Sequence, residues 1–373
     1  MNGKKLIGMV VVLAVLAGIA VMQKMGGKRA HATKSAGASL FEGIDLNAVT
    51  GMEVAKGSNT VILVKRDGIW KVEALSGYPV NFKKLAEAIR AAADVKLGKP
   101  LRAGNVGESE YGFGKDERRI VLKTGGSAVA SIEVGARREA SETAGWANQH
   151  FVRKAGDESI YLVDYDFRPF SEKPKDWIET QVVNVPSADI VSVKTGDVEL
   201  KVDGADWKLV DLDAEKEEFQ SSEANKLRMA LQYLNCETIA DTSKTDAELG
   251  FTNAVVYTAQ TKDGFIYTAT LGGATEGERN ARFAVNYTRP AAPAAPGADA
   301  DQDKKDAYQK QLDAFNKTCE ANEKTIADLN KTLSGWTYVI SSTEAADFLI
   351  GRDALVKEKE NPAEKEGDKQ DPK

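Results

Sequence analysis

A chain of 373 residues with 50 Lys and Arg against 56 Asp and Glu, a net charge of −6, two histidines and two cysteines falls outside several functional classes at once. Mild acidity with both signs interspersed argues against a nucleic-acid footprint, and two cysteines exclude a disulfide-dense scaffold while leaving one bridge, Cys236 to Cys319, open. With only His31 and His150, nucleophilic triads and histidine-rich metal sites are nearly excluded.

From the amino terminus, Lys4 and Lys5 precede Leu6 to Met22, an uncharged run of 17 apolar and small residues. That is the short end of a spanning helix, about 17 to 25 residues, and longer than a signal-peptide core of about 7 to 15. The small-residue cleavage candidate Ala30-His31-Ala32 is distant, with Lys24, Lys28 and Arg29 between, so a retained transmembrane anchor is expected. Ile19 stands where a lipidated cysteine would follow Leu16-Ala17-Gly18, so no lipid anchor is expected. Basic residues flank the run on both sides, but long domains translocate largely regardless of such charges. The expected orientation puts the body outside the cytoplasm. The mixture of Gly, Ala, Ser and Lys to Ser39 is a flexible tether, giving an anchor and tether over residues 1–39.

In the body, Val61 to Val64 and Ile69 to Val72 flank a turn with Asp67-Gly68, a strand, turn, strand signal. Asn81 is placed to cap a helix over Phe82 to Asp94 with Phe82, Leu85, Ile89 and Ala92 on one face. Strands are expected at Arg119 to Lys123, Ala128 to Val134, Gln149 to Arg153 and Ser159 to Val163. The second half repeats the series. Gly204-Ala205-Asp206-Trp207-Lys208-Leu209 answers Asp67-Gly68-Ile69-Trp70-Lys71-Val72 at a distance of 137 residues. A helix capped by Ser222 and carrying Leu227, Leu231 and Leu234 follows, then strands at Val255 to Gln260, Phe265 to Leu271, Arg282 to Tyr287 and Trp336 to Ile340.

Such a period describes duplicated domains, since solenoid units run about 20 to 50 residues. One helix among many strands, without regular alternation, gives an α+β class of mainly antiparallel sheets. The expected domains are 40–180 and 181–351, each a sheet with one packed helix. The second copy is interrupted by an insertion at 290–333. It opens on an alanine and proline linker, and Tyr308, Leu312, Phe315, Cys319, Asn322, Ile326, Leu329 and Leu333 then alternate steps of four and three along an expected helix, Asp301 to Leu333. Such a heptad seam serves a partner or its own domain equally well, and Asn322 within it would favour one register. Residues 352–373 read as a disordered tail.

The Asp-Gly-x-Trp hairpin, the following helix, Tyr111-Gly112-Phe113 with Leu249-Gly250-Phe251, the strands ending at Gly135 and Gly272, and Phe151-Val152-Arg153 with Ile160 to Val163 together resemble the bacterial domain-of-unknown-function family 4340, present twice. Phe113 and Phe251 replace the usual leucine of that family's motif, and Lys115 and Asn253 stand where proline is common. The resemblance implies a membrane-anchored, extracytoplasmic companion of ABC-type export systems related to those named for gliding motility. It brings no catalytic residues.

Searched for chemistry, the chain offers little. Asp299, Asp301 and Asp303 open like a calcium loop, but Lys304 and Lys310 occupy the turn-glycine and terminal-glutamate positions. An acidic helix start explains them. Trp70 and Trp207 read as packing residues at matched sites. Trp146, in a loop beside Arg137 and Arg138, is a candidate partner contact, as are Tyr308, Leu312, Phe315, Ile326 and Leu329. No cofactor or metal is implied. The leading expectation is a non-enzymatic anchored scaffold that positions an envelope or ABC-transporter protein. The alternative is a small-ligand or glycan-binding protein using the cleft between the repeats. Carboxylate-only glycoside chemistry comes third, with no acid pair standing out.

Overall fold

The computed structural model describes residues 37–101, 107–114, 117–138, 148–204, 206–275 and 277–359. The proposed anchor Leu6 to Met22, Trp146 and the chain beyond Lys359 lie outside the described residues. Among those described, no helix is long and apolar enough to cross a membrane. The chain divides into two compact units, one ending at Glu179 and the other beginning at Thr180. Both are α+β with antiparallel sheets.

In the first unit β1 (Gly51–Lys56), β2 (Asn59–Arg66), β3 (Ile69–Val72), β4 (Tyr78–Pro79), β5 (Arg118–Thr124), β6 (Ser127–Arg137), β7 (Gln149–Lys154) and β8 (Tyr161–Asp164) form one sheet of order β4-β3-β2-β1-β5-β6-β7-β8. Asp67 and Gly68 both take positive φ, the geometry that closes a two-residue hairpin with the right twist, and Trp70 pairs with Lys65 across it. Helix α1 (Phe82–Asp94) begins at Asn81, whose side chain accepts from the Lys84 amide. It lays Leu85, Ala88 and Ala92 on a core with Val54, Leu63, Val72, Ile120, Ile132 and Val152. Phe82 departs from its expected inward face: it is 62% exposed, because it opens the first turn while Leu85, Ala88 and Ala92 carry the burial. Central strand β1 escapes a pattern search because Glu53 sits inside it. That carboxylate is buried and bonded to Lys123 Nζ at 2.7 Å.

The second unit contains β9 (Gln181–Val183), β10 (Ile190–Thr195), β11 (Val198–Asp203), β12 (Asp206–Leu209), β13 (Glu217–Phe219), α2 (Ser221–Met229), β14 (Leu234–Asn235), β15 (Thr238–Ile239), β16 (Val255–Thr261), β17 (Phe265–Thr275), β18 (Glu278–Tyr287), α3 (Gln302–Leu333), β19 (Tyr338–Ser341), α4 (Ser342–Phe348), α5 (Arg352–Leu355) and β20 (Val356–Glu358). Its main sheet runs β12-β11-β10-β16-β17-β18-β19-β15. Strand for strand, β12 to β19 repeat the order of β3 to β8. Trp207 pairs with Val202 in the hairpin position held by Trp70.

Two sequence expectations change here, and the question of a disulfide is answered. Helix α2 begins at Ser221 without a side-chain cap and ends at Met229, so Leu231 and Leu234 are buried from the turn and strand that follow. Tyr233, with φ of 55°, takes that segment out of helical geometry. Beyond Leu355 the chain is not all tail, because β20 pairs with β13. Cys236 and Cys319 are separate buried thiols.

Candidate functional site

The Gly-Phe landmarks turn out to be one local structure built twice. The Phe113 amide donates to the Glu108 carbonyl at 3.2 Å and the Gly112 amide to Ser109 at 3.1 Å. In the second unit the Phe251 amide donates to Asp246 at 2.8 Å and Gly250 to Ala247 at 3.1 Å. Gly112 and Gly250 close these turns at φ of 76° and 79°, a region that a side chain makes costly. Each turn is pressed onto a strand that bulges at the same place, between Val134 and Arg137 and between Leu271 and Ala274. The approach is close enough that a Cβ on Gly135 would lie 2.2 Å from the Tyr111 carbonyl oxygen, and one on Gly272 2.5 Å from that of Leu249.

An arginine from the neighbouring strand locks each turn. Arg153 lies opposite Glu133 and bonds it through Nε at 2.8 Å. It also reaches Glu108 at 3.0 Å and sits 4.8 Å from the Phe113 ring centre. Arg282, opposite Thr270, bonds Asp246 at 2.7 Å and Thr337 Oγ1 at 3.0 Å, and its guanidinium is 4.1 Å from the centre of Phe251. Charge-assisted bonds and stacking on an aromatic face make arginine the residue suited to this role. Partial burial opposes the charge on Arg153, yet bonds to Glu133 and Glu108 outweigh it and raise its pKa.

The sequence series matches the strand Gln149 to Arg153 with Arg282 to Tyr287, whereas the strand register makes the last residue of one, Arg153, equivalent to the first of the other, Arg282. The reason is the preceding connection: β6 and β7 are separated by residues 138–148, while Thr275 and Glu278 are partners across a tight turn. The offset between the two matched series therefore slips along this strand.

The Arg282 bond holds the Asp246 carboxyl below its ordinary range. A depressed carboxylate contributes stability above its unfolded pKa, near 4, which is lost as pH falls through the lower folded value. Asp246→Asn is therefore expected to flatten the acid limb of the second unit's unfolding curve below about pH 4, as measured by midpoints between pH 6 and pH 2. An acid limb identical to wild type would assign the dependence elsewhere.

The candidate contact residues fall in different units. Arg137 and Arg138 are exposed at the end of β6, held to Asn148 Oδ1 at 3.0 Å and Gln149 Oε1 at 3.2 Å. His150 bonds the Tyr165 carbonyl through Nδ1 at 2.9 Å and meets Phe167 edge-on, a packing role. Tyr308, Leu312, Phe315, Ile326 and Leu329 form a single half-buried stripe on α3 with buried Cys319 and Leu333.

The carboxyl-terminal half of α3 docks in cis. Strand β19 covers β18 only over Glu278 to Ala281, and α3 lies along the remainder. Asn330 grips that open edge, accepting from the Val285 amide at 2.9 Å and donating to its carbonyl at 2.6 Å. Arg289 bonds Glu323 at 2.8 Å. Asn330, next to the seam position Leu329, thus ties the helix to that edge by two bonds. Covering an exposed strand edge also prevents unwanted pairing.

Architecturally the described residues form two α+β units whose sheets are antiparallel and whose matching turns are each clamped by an arginine. A family model described as a domain of unknown function (DUF4340) matches residues 70–254, which supports assignment to that family. The match is one continuous span, from the Trp70 hairpin to just past Phe251. No curated protein and no solved structure matches the chain.

Proposed function

We propose that the chain is a duplicated, non-enzymatic scaffold of the bacterial cell envelope, anchored by Leu6 to Met22 and serving as companion to an ABC-type export system. The observation that carries the reading is the repeated clamp. The charged and aromatic residues that recur, Glu108, Phe113 and Arg153 with Asp246, Phe251 and Arg282, are committed to holding turns on bulged strands. What recurs between the halves is therefore architecture, as expected of domains that position other proteins. The matched strand order, β3 to β8 against β12 to β19, supports duplication of one unit. The apolar run and its tether support the anchor and the extracytoplasmic body.

Purification of the full chain from membranes in mild detergent tests this. The scaffold reading expects protease added to spheroplasts to remove the body, and a stable complex containing transporter subunits to co-purify. A body protected in intact spheroplasts overturns the topology, and a monodisperse monomer overturns the scaffold.

A further inference from the structure

We infer that residues 290–296 form a polyproline II strap that runs antiparallel along the amino-terminal half of α3 and closes on Tyr308, Leu312 and Phe315 in cis. The register fixes the direction. Val285 meets Asn330 and Arg289 meets Glu323, so moving forward along β18 means moving backward along the helix. At a rise of about 1.5 Å per residue, Gln302 lies about 32 Å from Glu323, beyond the end of β18. Only the segment between Arg289 and Gln302 bridges that distance. A flexible chain of this length would average about 20 Å, so the segment must run nearly extended beside the helix.

Burial along the segment has a period of three. Pro290, Pro293 and Pro296 are half-buried, while Ala291, Ala292, Ala294, Ala295 and Gly297 are exposed. Three residues per turn without internal hydrogen bonds is the polyproline II helix, with a rise of about 3.1 Å. It keeps every third side chain on one face. At that rise Pro296 lies about 22 Å beyond Arg289, level with Tyr308 on the helix, and Pro293 comes level with Phe315. Tyr308, Leu312 and Phe315 are themselves half-buried where β18 no longer reaches, and the prolines are the apolar surface that the register delivers there. Pro290 is seated by the β16–β17 turn, since a Cβ on Gly264 would lie 3.1 Å from its Cδ. Proline costs little conformational entropy to order. A partner helix seeking the Tyr308 to Phe315 stripe must first displace the strap.

The test uses the full chain in detergent. Pro293→Ser with Pro296→Ser is expected to raise amide exchange over residues 306–316 at least about fivefold, leaving 319–333 protected, because Asn330 and Glu323 still hold that half. Unchanged exchange over 306–316 overturns the strap. A second measurement does not depend on destabilisation: Pro296→Cys with Tyr308→Cys is expected to crosslink within the chain by a short bis-maleimide, whereas Pro296→Cys with Lys324→Cys is not. The native cysteines are buried and stay silent. Failure of the first pair to crosslink in folded protein likewise overturns the proposal.

Discussion

Gly250→Ala is expected to destabilise the second unit by about 3 kcal/mol or more, a loss seen as a fall of about 1 M or more in its urea midpoint. Left-handed backbone costs a side chain about 1 to 2 kcal/mol. The remainder comes from collision, because the new Cβ would lie 2.4 Å from the Gly273 amide nitrogen and 2.9 Å from its Cα. Neither is the movable end of a side chain, so the turn must lift from the bulge, weakening the Gly273 amide bond to the Gly250 carbonyl at 2.9 Å and the Arg282 stack on Phe251. Gly277→Ala provides the control, since its φ is 84° but a Cβ there meets nothing within 4 Å. It should cost only the left-handed penalty of about 1 to 2 kcal/mol. Equal losses at the two glycines would show that the close approach carries no energy.

This contrast also shows what the sequence makes legible. Local rules suffice where a single residue decides geometry: Asp67-Gly68 closes its hairpin, Asn81 starts α1 and Asp301 caps α3. The clamp is harder to read because its parts come from three segments. Phe251 and Asp246 are neighbours in sequence, but Arg282 joins them through strand pairing across a bulge. Each bulge moves the register, and the connections before β7 and β18 differ in length, so Arg153 and Arg282 stand at different offsets. Strands β1 and β10 are similarly hidden, since Glu53 and Thr195 are polar yet buried. Glu53 is bonded to Lys123, and Thr195 Oγ1 donates to the Phe348 carbonyl at 2.8 Å. The α3 stripe was visible as a heptad, but a heptad has no address. Its partner is set by the open edge of β18 and by Asn330, which no spacing rule singles out.

Trp177→Ala is expected to cost the first unit about 3 to 5 kcal/mol, the range for removing a large aromatic from a core. Trp177 lies in a short turn after the last strand, outside any periodic run, and nothing local marks it as core. Yet it is 1% exposed. Its indole N–H donates to the Ser171 carbonyl at 2.7 Å, its ring meets Phe170, and its own carbonyl accepts from the Asn81 amide at 2.7 Å. The turn therefore ties the end of the unit to the start of α1, and truncation leaves both a cavity and an unpaired Ser171 carbonyl. Trp207→Ala should be milder, about 1 kcal/mol, because that ring is half-buried at the edge of its sheet under the guanidinium of Arg228. Hydrogen exchange in β1 to β8 for the first variant, and in β10 to β12 for the second, separates the units without requiring a two-state transition of the whole chain. If exchange in the first unit rises by no more than that in the second, Trp177 does not hold the unit closed, and the link between its turn and α1 is a contact without energetic weight.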